Sequence, residues 1–220
     1  MAERSDEFWS KVAPKYDRVV DLQLGEGTRA LVRERVEREE SLGRLVELGC
    51  GSGYFTRVLA GKADHVVATD VARGMLDVAR EAVAAANIAF QVEDAQKTSF
   101  PDAAFDTAFM SLVLHFTEPA AALAEMQRIL RPGGTLIVVN LDPGALGAFD
   151  RVRSAARILY RGVTGYRTRP PPGLGSNVLS ERQLCTLLGE CGFDVLSSEP
   201  VRDASRSSNV PVEYVRARKR

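Results

Sequence analysis

The sequence is poor in the residues that build metal centres and disulfide frameworks. It contains two histidines and three cysteines among 220 residues. The cysteines, Cys50, Cys185 and Cys191, are odd in number and show neither the C-x-x-C spacing of zinc and redox sites nor a disulfide pattern. We therefore expect reduced thiols and no metal centre.

Long apolar runs are also missing. No run of about eighteen apolar residues, the length that spans a membrane, is present. The N-terminal stretch MAERSDEFWSKVAPKYD lacks the apolar segment of a secretory signal. These absences predict a cytoplasmic protein.

Neither sign of charge is in excess. The chain has 29 basic and 29 acidic residues and a formal net charge of +0 at pH 7. A molecule without net charge has no overall electrostatic attraction for a polyanion, so nucleic acid is not expected as a partner. Hydrophobic residues make up 45% of the chain, which is enough for one good core in a single domain.

Short apolar runs alternate with helical segments from about residue 44 onward. This alternation is typical of an α/β fold with a parallel sheet and crossover helices. The predicted strands are 44–49, 65–70, 88–93, 105–113, 134–141, 193–201 and 210–219. The predicted helices are 54–61, 73–87, 118–130 and 180–192, the last with Ser180 as N-cap. The two terminal strands have no helix between them, so they can form a hairpin and the last is expected to run antiparallel to the rest.

We expect four segments within the one domain. They are an N-terminal helical cap over 1–43, a cofactor-binding core over 44–141, an inserted lid over 142–179, and a C-terminal helix with two strands over 180–220. The insertion carries six arginines and no acidic residue between positions 151 and 179, and 146–161 has the pattern of a basic amphipathic helix. Three interpretations stay open: a lid that presents Tyr160 or Tyr166 to an anionic or aromatic acceptor, a membrane-surface helix that collects a lipid-like acceptor, or a structural lid with solvated arginines.

The stretch LVELGCGSGYFT, residues 45–56, places three glycines directly after the first predicted strand. A glycine-rich turn between a strand and a helix brings backbone N–H groups up to a ligand. The dinucleotide fingerprint G-x-G-x-x-G would need a third glycine where Tyr54 stands, which disfavours a nicotinamide oxidoreductase. Glu47, two residues before the first glycine, would repel a pyrophosphate but favour an ammonium or sulfonium group. The loop therefore predicts a cofactor with a cationic amino-acid end.

Two further acids follow the next two predicted strands. Asp70 ends the second strand, where a carboxylate suits two ribose hydroxyls. Glu93, Asp94 and Ala95 follow the third strand, where a carboxylate can accept from the exocyclic amine of adenine and a neighbouring N–H can meet a ring nitrogen. Three such positions in order predict a nucleoside joined to the cationic end.

At this point the sequence resembles the class I S-adenosylmethionine-dependent methyltransferases, in the small-molecule group that includes the quinone-biosynthesis C-methyltransferases. The resemblance is carried by VELGCGSG, ATDVARGMLDVAR, VEDAQKTSFPDAAFDTAFMSLVLHFTEP and MQRILRPGGTLIVVNL. It implies S-adenosylmethionine as cofactor, S-adenosylhomocysteine as product, and a Rossmann-like doubly wound sheet of seven strands, the last antiparallel, with helices on both faces. The cofactor-binding residues that it implies are Tyr16, Glu47, Gly49, Cys50, Gly51, Gly53, Asp70, Val71, Met75, Asp94, Ala95 and Ser111.

The sequence contains fewer patterns for the acceptor-binding part of the site than for the cofactor-binding part. Methyl transfer is an in-line displacement, so the protein must align the acceptor and exclude water, and a general base is optional. His115 follows the fourth strand, on the rim where the methyl group should point, and is our candidate for a base and an acceptor contact. The alternative is a rim histidine that contacts only cofactor or backbone. His65 starts the second strand, on the opposite edge.

The sequence thus predicts an enzyme that methylates a small molecule, whether aromatic, anionic or lipid-like. Two alternatives are a cofactor-binding regulator or partner protein that has lost transfer, and a protein methyltransferase. DNA and amide-nitrogen methyltransferases resemble a pattern with an Asn/Asp-Pro-Pro-aromatic motif after the fourth strand, whereas this chain has SLVLHF there. Neither the acceptor atom nor the oligomeric state can be predicted from these patterns.

Overall fold

The computed structural model describes residues 2–24, 26–142, 177–203 and 211–220. The predicted lid lies almost entirely outside these ranges, and so do the amphipathic helix at 146–161, Tyr160 and Tyr166. Within the described residues, no helix has both the length and the apolar character needed to cross a membrane.

Seven strands form one sheet in the order β3-β2-β1-β4-β5-β7-β6. Their bounds are β1 Arg44–Leu48, β2 His65–Asp70, β3 Ile88–Val92, β4 Phe105–Ser111, β5 Leu130–Leu141, β6 Phe193–Val201 and β7 Val212–Lys219. Neighbours among the first five strands pair in parallel, whereas β7 is antiparallel to both β5 and β6. The predicted fold class, with seven strands and the last one antiparallel, is confirmed.

Helices cover both faces of the sheet. They are α1 Ala2–Val12, α2 Tyr16–Leu24, α3 Glu26–Arg38, α4 Thr56–Ala60, α5 Arg73–Ala82, α6 Pro119–Ile129 and α7 Glu181–Glu190. One core cluster packs α6 and α7 on one face, and the other packs α3, α4 and α5 on the opposite face. The central strands are therefore covered on both sides, and nearly every residue of β1, β2 and β4 is buried, the polar ones included.

Several predicted boundaries were wrong for local reasons. The helix predicted to reach residue 87 ends at Ala82, because Val83 adopts an extended conformation with φ −130° and ψ 112°. The fourth strand ends at Ser111 rather than at residue 113, because Leu112 has a φ of 60°. The fifth strand begins at Leu130, four residues before the predicted start, and its pairing with β4 is irregular near Phe105.

The N-cap of α7 was predicted correctly. The Ser180 side chain accepts from the backbone N–H of Gln183, and the Gln183 side chain accepts from the backbone N–H of Ser180. This reciprocal capping box satisfies two N–H groups that the helix itself leaves unpaired, and it fixes where the helix begins.

Candidate functional site

A cavity of about 300 Å³ opens at the carboxyl ends of the parallel strands. The strand order reverses between β1 and β4, and open α/β sheets bind ligands beside such a reversal. The wall comes from the N-terminal cap, the segments after β1 to β4 and Asn177, near the end of the predicted insertion. It is lined by Trp9, Tyr16, Gly49, Gly51, Asp70, Val71, Met75, Glu93, Asp94, Ala95, Gln96, Leu112, Val113, Phe116, Thr117, Glu118 and Asn177.

The loop after β1 requires glycine at its two cavity positions. Gly49 has a φ of +75°, and a Cβ there would lie 2.3 Å from Cγ2 of Val113. Gly51 has a φ of +55°, and a Cβ there would lie 2.9 Å from Cε1 of Tyr16. Both residues therefore have a left-handed backbone and close neighbours that a side chain would meet. Gly53 also has a positive φ, but it packs against α5 and is not on the cavity wall.

Asp70 fixes this loop to the end of β2. Its Oδ2 accepts from Gly51 N at 3.0 Å, and its Oδ1 accepts from Ala72 N at 2.9 Å. Burial raises the pKa of Asp70 to about 6, although the backbone hydrogen bonds oppose the shift. The side chain is 8% exposed and lies on the cavity wall, so a carboxylate already held by two N–H donors faces the space where a ligand would bind.

Glu47 lies behind the loop rather than on the cavity wall. Its side chain is 2% exposed, and its Oε2 accepts from Oγ1 of Thr56 at 2.5 Å. Burial raises the pKa of Glu47 to about 8. A carboxyl group with this pKa is mostly protonated at pH 7 until a cation approaches it.

The remaining predicted cofactor residues divide into two groups. Val71, Met75, Asp94 and Ala95 lie on the wall together with Tyr16. Cys50 and Ser111 do not. Cys50 is 7% exposed, and burial raises the pKa of its thiol well above the usual value, so the thiol is unreactive. The Oγ of Ser111 is buried and has no hydrogen-bond partner within the described part of the chain.

His115 lies in a 3-10 turn, Leu114–Phe116, directly after β4. It lines a second, smaller pocket beside the cavity and not the cavity itself. Burial lowers the pKa of His115 to about 4, so the imidazole is neutral at pH 7. A group with so low a pKa is a poor general base near neutral pH, but it remains a good hydrogen-bond partner.

Four aromatic and amide residues of the wall were not predicted from the sequence: Trp9, Gln96, Phe116 and Asn177. Trp9 lies between Tyr16 and Phe116, with ring centroids 6.1 Å and 4.8 Å away. Trp9 is the only tryptophan of the chain, and this could have marked it as a candidate site residue. Asn177 donates from its side chain to the backbone oxygen of Thr117 at 2.7 Å, a contact with no local sequence pattern.

Helix α1 is held in place by the first turn of α5. Asp6 Oδ1 accepts from Arg73 N at 3.2 Å, and Ser10 Oγ accepts from Gly74 N at 3.1 Å. These side chains satisfy N–H groups that α5 leaves unpaired at its start. Because Trp9 lies between Asp6 and Ser10 in the sequence, the same contacts position its ring at the cavity.

A second connection joins the cap to the glycine loop through Arg29. This residue is 4% exposed, pairs with Asp17 and Asp21 at 2.7 Å each, and lies 3.7 Å above the ring centroid of Tyr54. Asp17 Oδ1 also accepts from Oγ of Ser52 at 2.8 Å. Tyr54, which occupies the third-glycine position of the dinucleotide fingerprint, is thus a stacking surface for a buried guanidinium.

Replacing Arg29 by methionine should loosen the cap. Breaking a buried ion pair costs about 3–5 kcal/mol. Because Asp17 is half exposed, we expect the free energy of unfolding to fall by about 2 kcal/mol. Ligand affinity at the cavity should fall roughly threefold to tenfold. Arg33→Met is the matched control, because Arg33 lies on the same helix and makes an exposed pair with Glu37. Thermal unfolding and calorimetric titration of both variants measure stability and affinity. Equal ligand affinities for Arg29→Met and Arg33→Met would contradict the expectation.

The fold and the site define a doubly wound α/β protein with a cavity at the reversal of strand order. A family profile described as "Methyltransferase domain" matches residues 46–138. Over 139 residues the chain is 39% identical to the malonyl-(acyl-carrier protein) O-methyltransferase of Serratia marcescens, covering 63% of this chain and 52% of that enzyme. The matched part thus spans about half the length of this curated relative.

A longer match extends over most of the chain. Over 199 residues the chain is 33% identical to the ubiquinone/menaquinone biosynthesis C-methyltransferase of Pseudomonas paraeruginosa, covering 86% of this chain and 74% of that enzyme. The chain therefore belongs to the S-adenosylmethionine-dependent methyltransferases, and this family implies S-adenosylmethionine as cofactor. A solved S-adenosylmethionine-dependent methyltransferase of Thermotoga maritima has the same fold, with a TM-score of 0.69 at 20% identity over 98% of this chain and 99% of that one.

Proposed function

We propose that this protein transfers a methyl group from S-adenosylmethionine to a small-molecule acceptor. The observation that carries the proposal is the buried Asp70 carboxylate on the wall of the cavity, next to the bare backbone of Gly49 and Gly51. The relatives are named as O- and C-methyltransferases. The acceptor atom is therefore an oxygen or a carbon in this proposal.

The residues on the wall fit the three parts of this cofactor. Each Asp70 oxygen uses one lone pair on a backbone N–H, and a carboxylate oxygen can accept twice, so two positions remain for adjacent ribose hydroxyls. Asp94 and Ala95 would meet the adenine, with Met75 as an apolar wall. Gly49 and Gly51 would lie against the methionine part, with Tyr16 above them and Glu47 behind them.

When bound, the cofactor would supply an electrophilic methyl group on its sulfonium sulfur. The chain contributes alignment and exclusion of water. The rings of Trp9, Tyr16 and Phe116, which we call the aromatic wall, border the cavity and would face the acceptor in this proposal. Burial and the nearby Asp70 carboxylate raise the pKa of Tyr16, so its hydroxyl stays a neutral hydrogen-bond donor.

Calorimetric titration with S-adenosylmethionine, S-adenosylhomocysteine and NAD tests the proposal. We expect dissociation constants of about micromolar order for the two sulfur nucleosides and no binding of NAD. Absence of binding by both sulfur nucleosides would overturn the proposal. Tight binding without turnover across a broad panel of small acceptors would instead favour the alternative of a cofactor-binding regulator or partner protein.

A further inference from the structure

The side-chain amide of Gln96 connects two segments that border the cavity. One is the segment 93–99, which follows β3, and the other is the segment 112–118, which follows β4. The Gln96 Nε2 donates to Oδ1 of Asp94 at 3.2 Å, and the Gln96 Oε1 accepts from the backbone N–H of Glu118 at 2.9 Å. All three residues line the cavity. The connection is therefore part of the cavity wall itself.

The two partners determine which way this amide points. A reversed amide would place its oxygen against the Asp94 carboxylate and its NH₂ group against the N–H of Glu118, so both contacts would become repulsive. Glu118 is the N-cap residue of α6, and its own side chain makes no capping hydrogen bond. Gln96 thus accepts from the N-cap N–H, as the N3 side chain does in a capping box, but from a different segment of the chain.

Gln96 also occupies both bonding positions of one Asp94 oxygen. Oδ1 of Asp94 accepts from the backbone N–H of Gln96 at 2.9 Å as well as from the Gln96 side chain. A carboxylate oxygen has two lone pairs, so Oδ1 has no further acceptor position. Within the described part of the chain, Oδ2 accepts no hydrogen bond. Oδ2 is therefore the acceptor that Asp94 offers to a ligand, and Gln96 determines where it lies.

The segment 93–99 does not depend on Gln96 alone for its position. Oε1 of Glu125, on α6, accepts from the backbone N–H and the hydroxyl of Thr98 at 2.8 Å and 2.6 Å. Oε2 of Glu93 accepts from the backbone N–H of Ser99 at 2.9 Å. These contacts should keep the segment docked on α6 when the Gln96 side chain is changed. A substitution of Gln96 should therefore alter the Asp94 carboxylate rather than unfold the protein.

We propose that Gln96 is a positioning residue that makes the site select a 6-amino purine over a 6-oxo purine, because it holds Oδ2 of Asp94 in place as the acceptor. This inference rests on the proposed function, in which Asp94 meets the adenine. A 6-amino group donates to Oδ2. The oxygen of a 6-oxo purine would instead lie against a carboxylate oxygen that cannot turn away, and neither atom has a proton to share.

The selection is measured with S-adenosylhomocysteine and S-inosylhomocysteine, which differ only in the purine. Calorimetry gives the dissociation constant of each ligand with the full chain. We expect wild type to bind the 6-amino ligand at least about 100-fold more tightly, since a site built to accept from an amino group rejects an analogue that lacks it. The ratio of the two constants is the readout. A residue that only supports the fold would change both constants alike and leave their ratio unchanged.

Two substitutions of Gln96 test the positioning role. Gln96→Met removes both side-chain contacts at nearly equal length and should lower the ratio about threefold to tenfold, because the Asp94 carboxylate becomes free to turn. Gln96→Glu keeps an acceptor for the N–H of Glu118 but places a second carboxyl group beside Asp94, and should lower the ratio further. Gln91→Met is the matched control, because Gln91 donates to the neighbouring acid Glu93 at 2.6 Å and does not line the cavity. The ratio in this control should equal that of wild type.

Asp94→Asn should shift the preference towards the 6-oxo ligand. The two N–H donors of Gln96 would hold the amide oxygen of the new side chain at the Oδ1 position. Its NH₂ group would then replace Oδ2 and donate to the 6-oxo group. We expect the ratio to move towards S-inosylhomocysteine by at least about tenfold relative to wild type. Combining Asp94→Asn with Gln96→Met should cancel part of this shift.

The outcomes distinguish this inference from the proposed function. An unchanged ratio in Gln96→Met and Gln96→Glu would overturn the inference, even if both ligands bind more weakly. An equal change of the ratio in Gln91→Met would overturn it as well, since the effect would then reflect general loosening of the segment. Equal binding of the two nucleosides by wild type would refute the selection and leave the proposed function standing. If S-adenosylhomocysteine does not bind at all, the proposed function fails, and this inference fails with it.

Discussion

Replacing Asp70 by asparagine should weaken the binding of S-adenosylhomocysteine by about one to two orders of magnitude. Hydrogen bonds to a charged group contribute about 1.5–3 kcal/mol each. In the proposed binding mode Asp70, whose oxygens already accept from Gly51 N and Ala72 N, would also accept from the ribose. Asparagine keeps one acceptor oxygen but puts an NH₂ group opposite one of the backbone N–H donors. The loss should therefore include both the ligand contact and part of the loop geometry.

Calorimetry and thermal unfolding of the same variant separate these two contributions. Asp77→Asn is the matched control, because Asp77 is exposed on α5 and pairs only with Arg80 among the described residues. We expect the control to bind with unchanged affinity. An unchanged dissociation constant for Asp70→Asn would show that the ribose is held by other residues.

The Asp70 carboxylate should also make ligand affinity depend on pH. The pKa of Asp70 is raised from 3.8 to about 6, so the ligand-free protein carries a protonated Asp70 below that pH. A protonated carboxyl group loses acceptor capacity, and affinity for the ribose should fall as the pH decreases through about 6. Asp70→Asn should remove this step from a plot of affinity against pH, and persistence of the step in the variant would assign it to another group.

Much of this site could be predicted because it depends on local patterns. Apolar runs that are buried on both faces of the sheet identified the strands, and the residues at their carboxyl ends necessarily meet at one edge. Asp70 and Gly51 follow two predicted strands, and in the structure they meet at that edge through a hydrogen bond of 3.0 Å. The hairpin at the chain end followed from two strand patterns without a helix between them.

The parts that could not be predicted depend on contacts between distant segments. Arg29 belongs to the densely charged helix α3, yet it is buried because Asp17 and Tyr54 contact it from two other segments. Asn177 reaches the cavity through a hydrogen bond to Thr117, which is 60 residues away in the sequence. Neither contact produces a periodicity or a spacing that a single sequence could reveal.

Burial of Glu47 should cost stability, and in the proposed function Glu47 also helps to bind the cofactor, so its substitution should test both effects. Its pKa is raised from 4.5 to about 8 by burial. A group whose pKa is higher in the folded state favours folding most at low pH, below about 4.5, and this contribution is lost as the pH rises towards 8. The ligand-free protein should therefore lose stability across that range, because the carboxyl group ionises in the unfolded chain while burial keeps it protonated in the folded state.

Glu47→Gln should remove this dependence. Relative to wild type, we expect the variant to gain about 2 kcal/mol or more between pH 5 and pH 9, which is roughly 4–8 °C in Tm for a domain of this size. Glu34→Gln, at an exposed position that pairs with Arg38, should show no such gain. Thermal unfolding at several pH values measures the difference, and parallel curves for wild type and Glu47→Gln would contradict the expectation.

The same protonation links Glu47 to the cofactor. A sulfonium or ammonium group near a carboxyl group lowers the pKa of that carboxyl, so binding of S-adenosylmethionine at pH 7 should release up to about one proton from Glu47. Calorimetry in buffers of different ionisation enthalpy counts this proton. Glu47→Gln should bind more weakly and release none. If Glu47→Gln releases as many protons as wild type, the released proton does not come from Glu47, and the cation lies too far from this carboxyl group to interact with it. Burying Glu47 would then lower stability without strengthening cofactor binding.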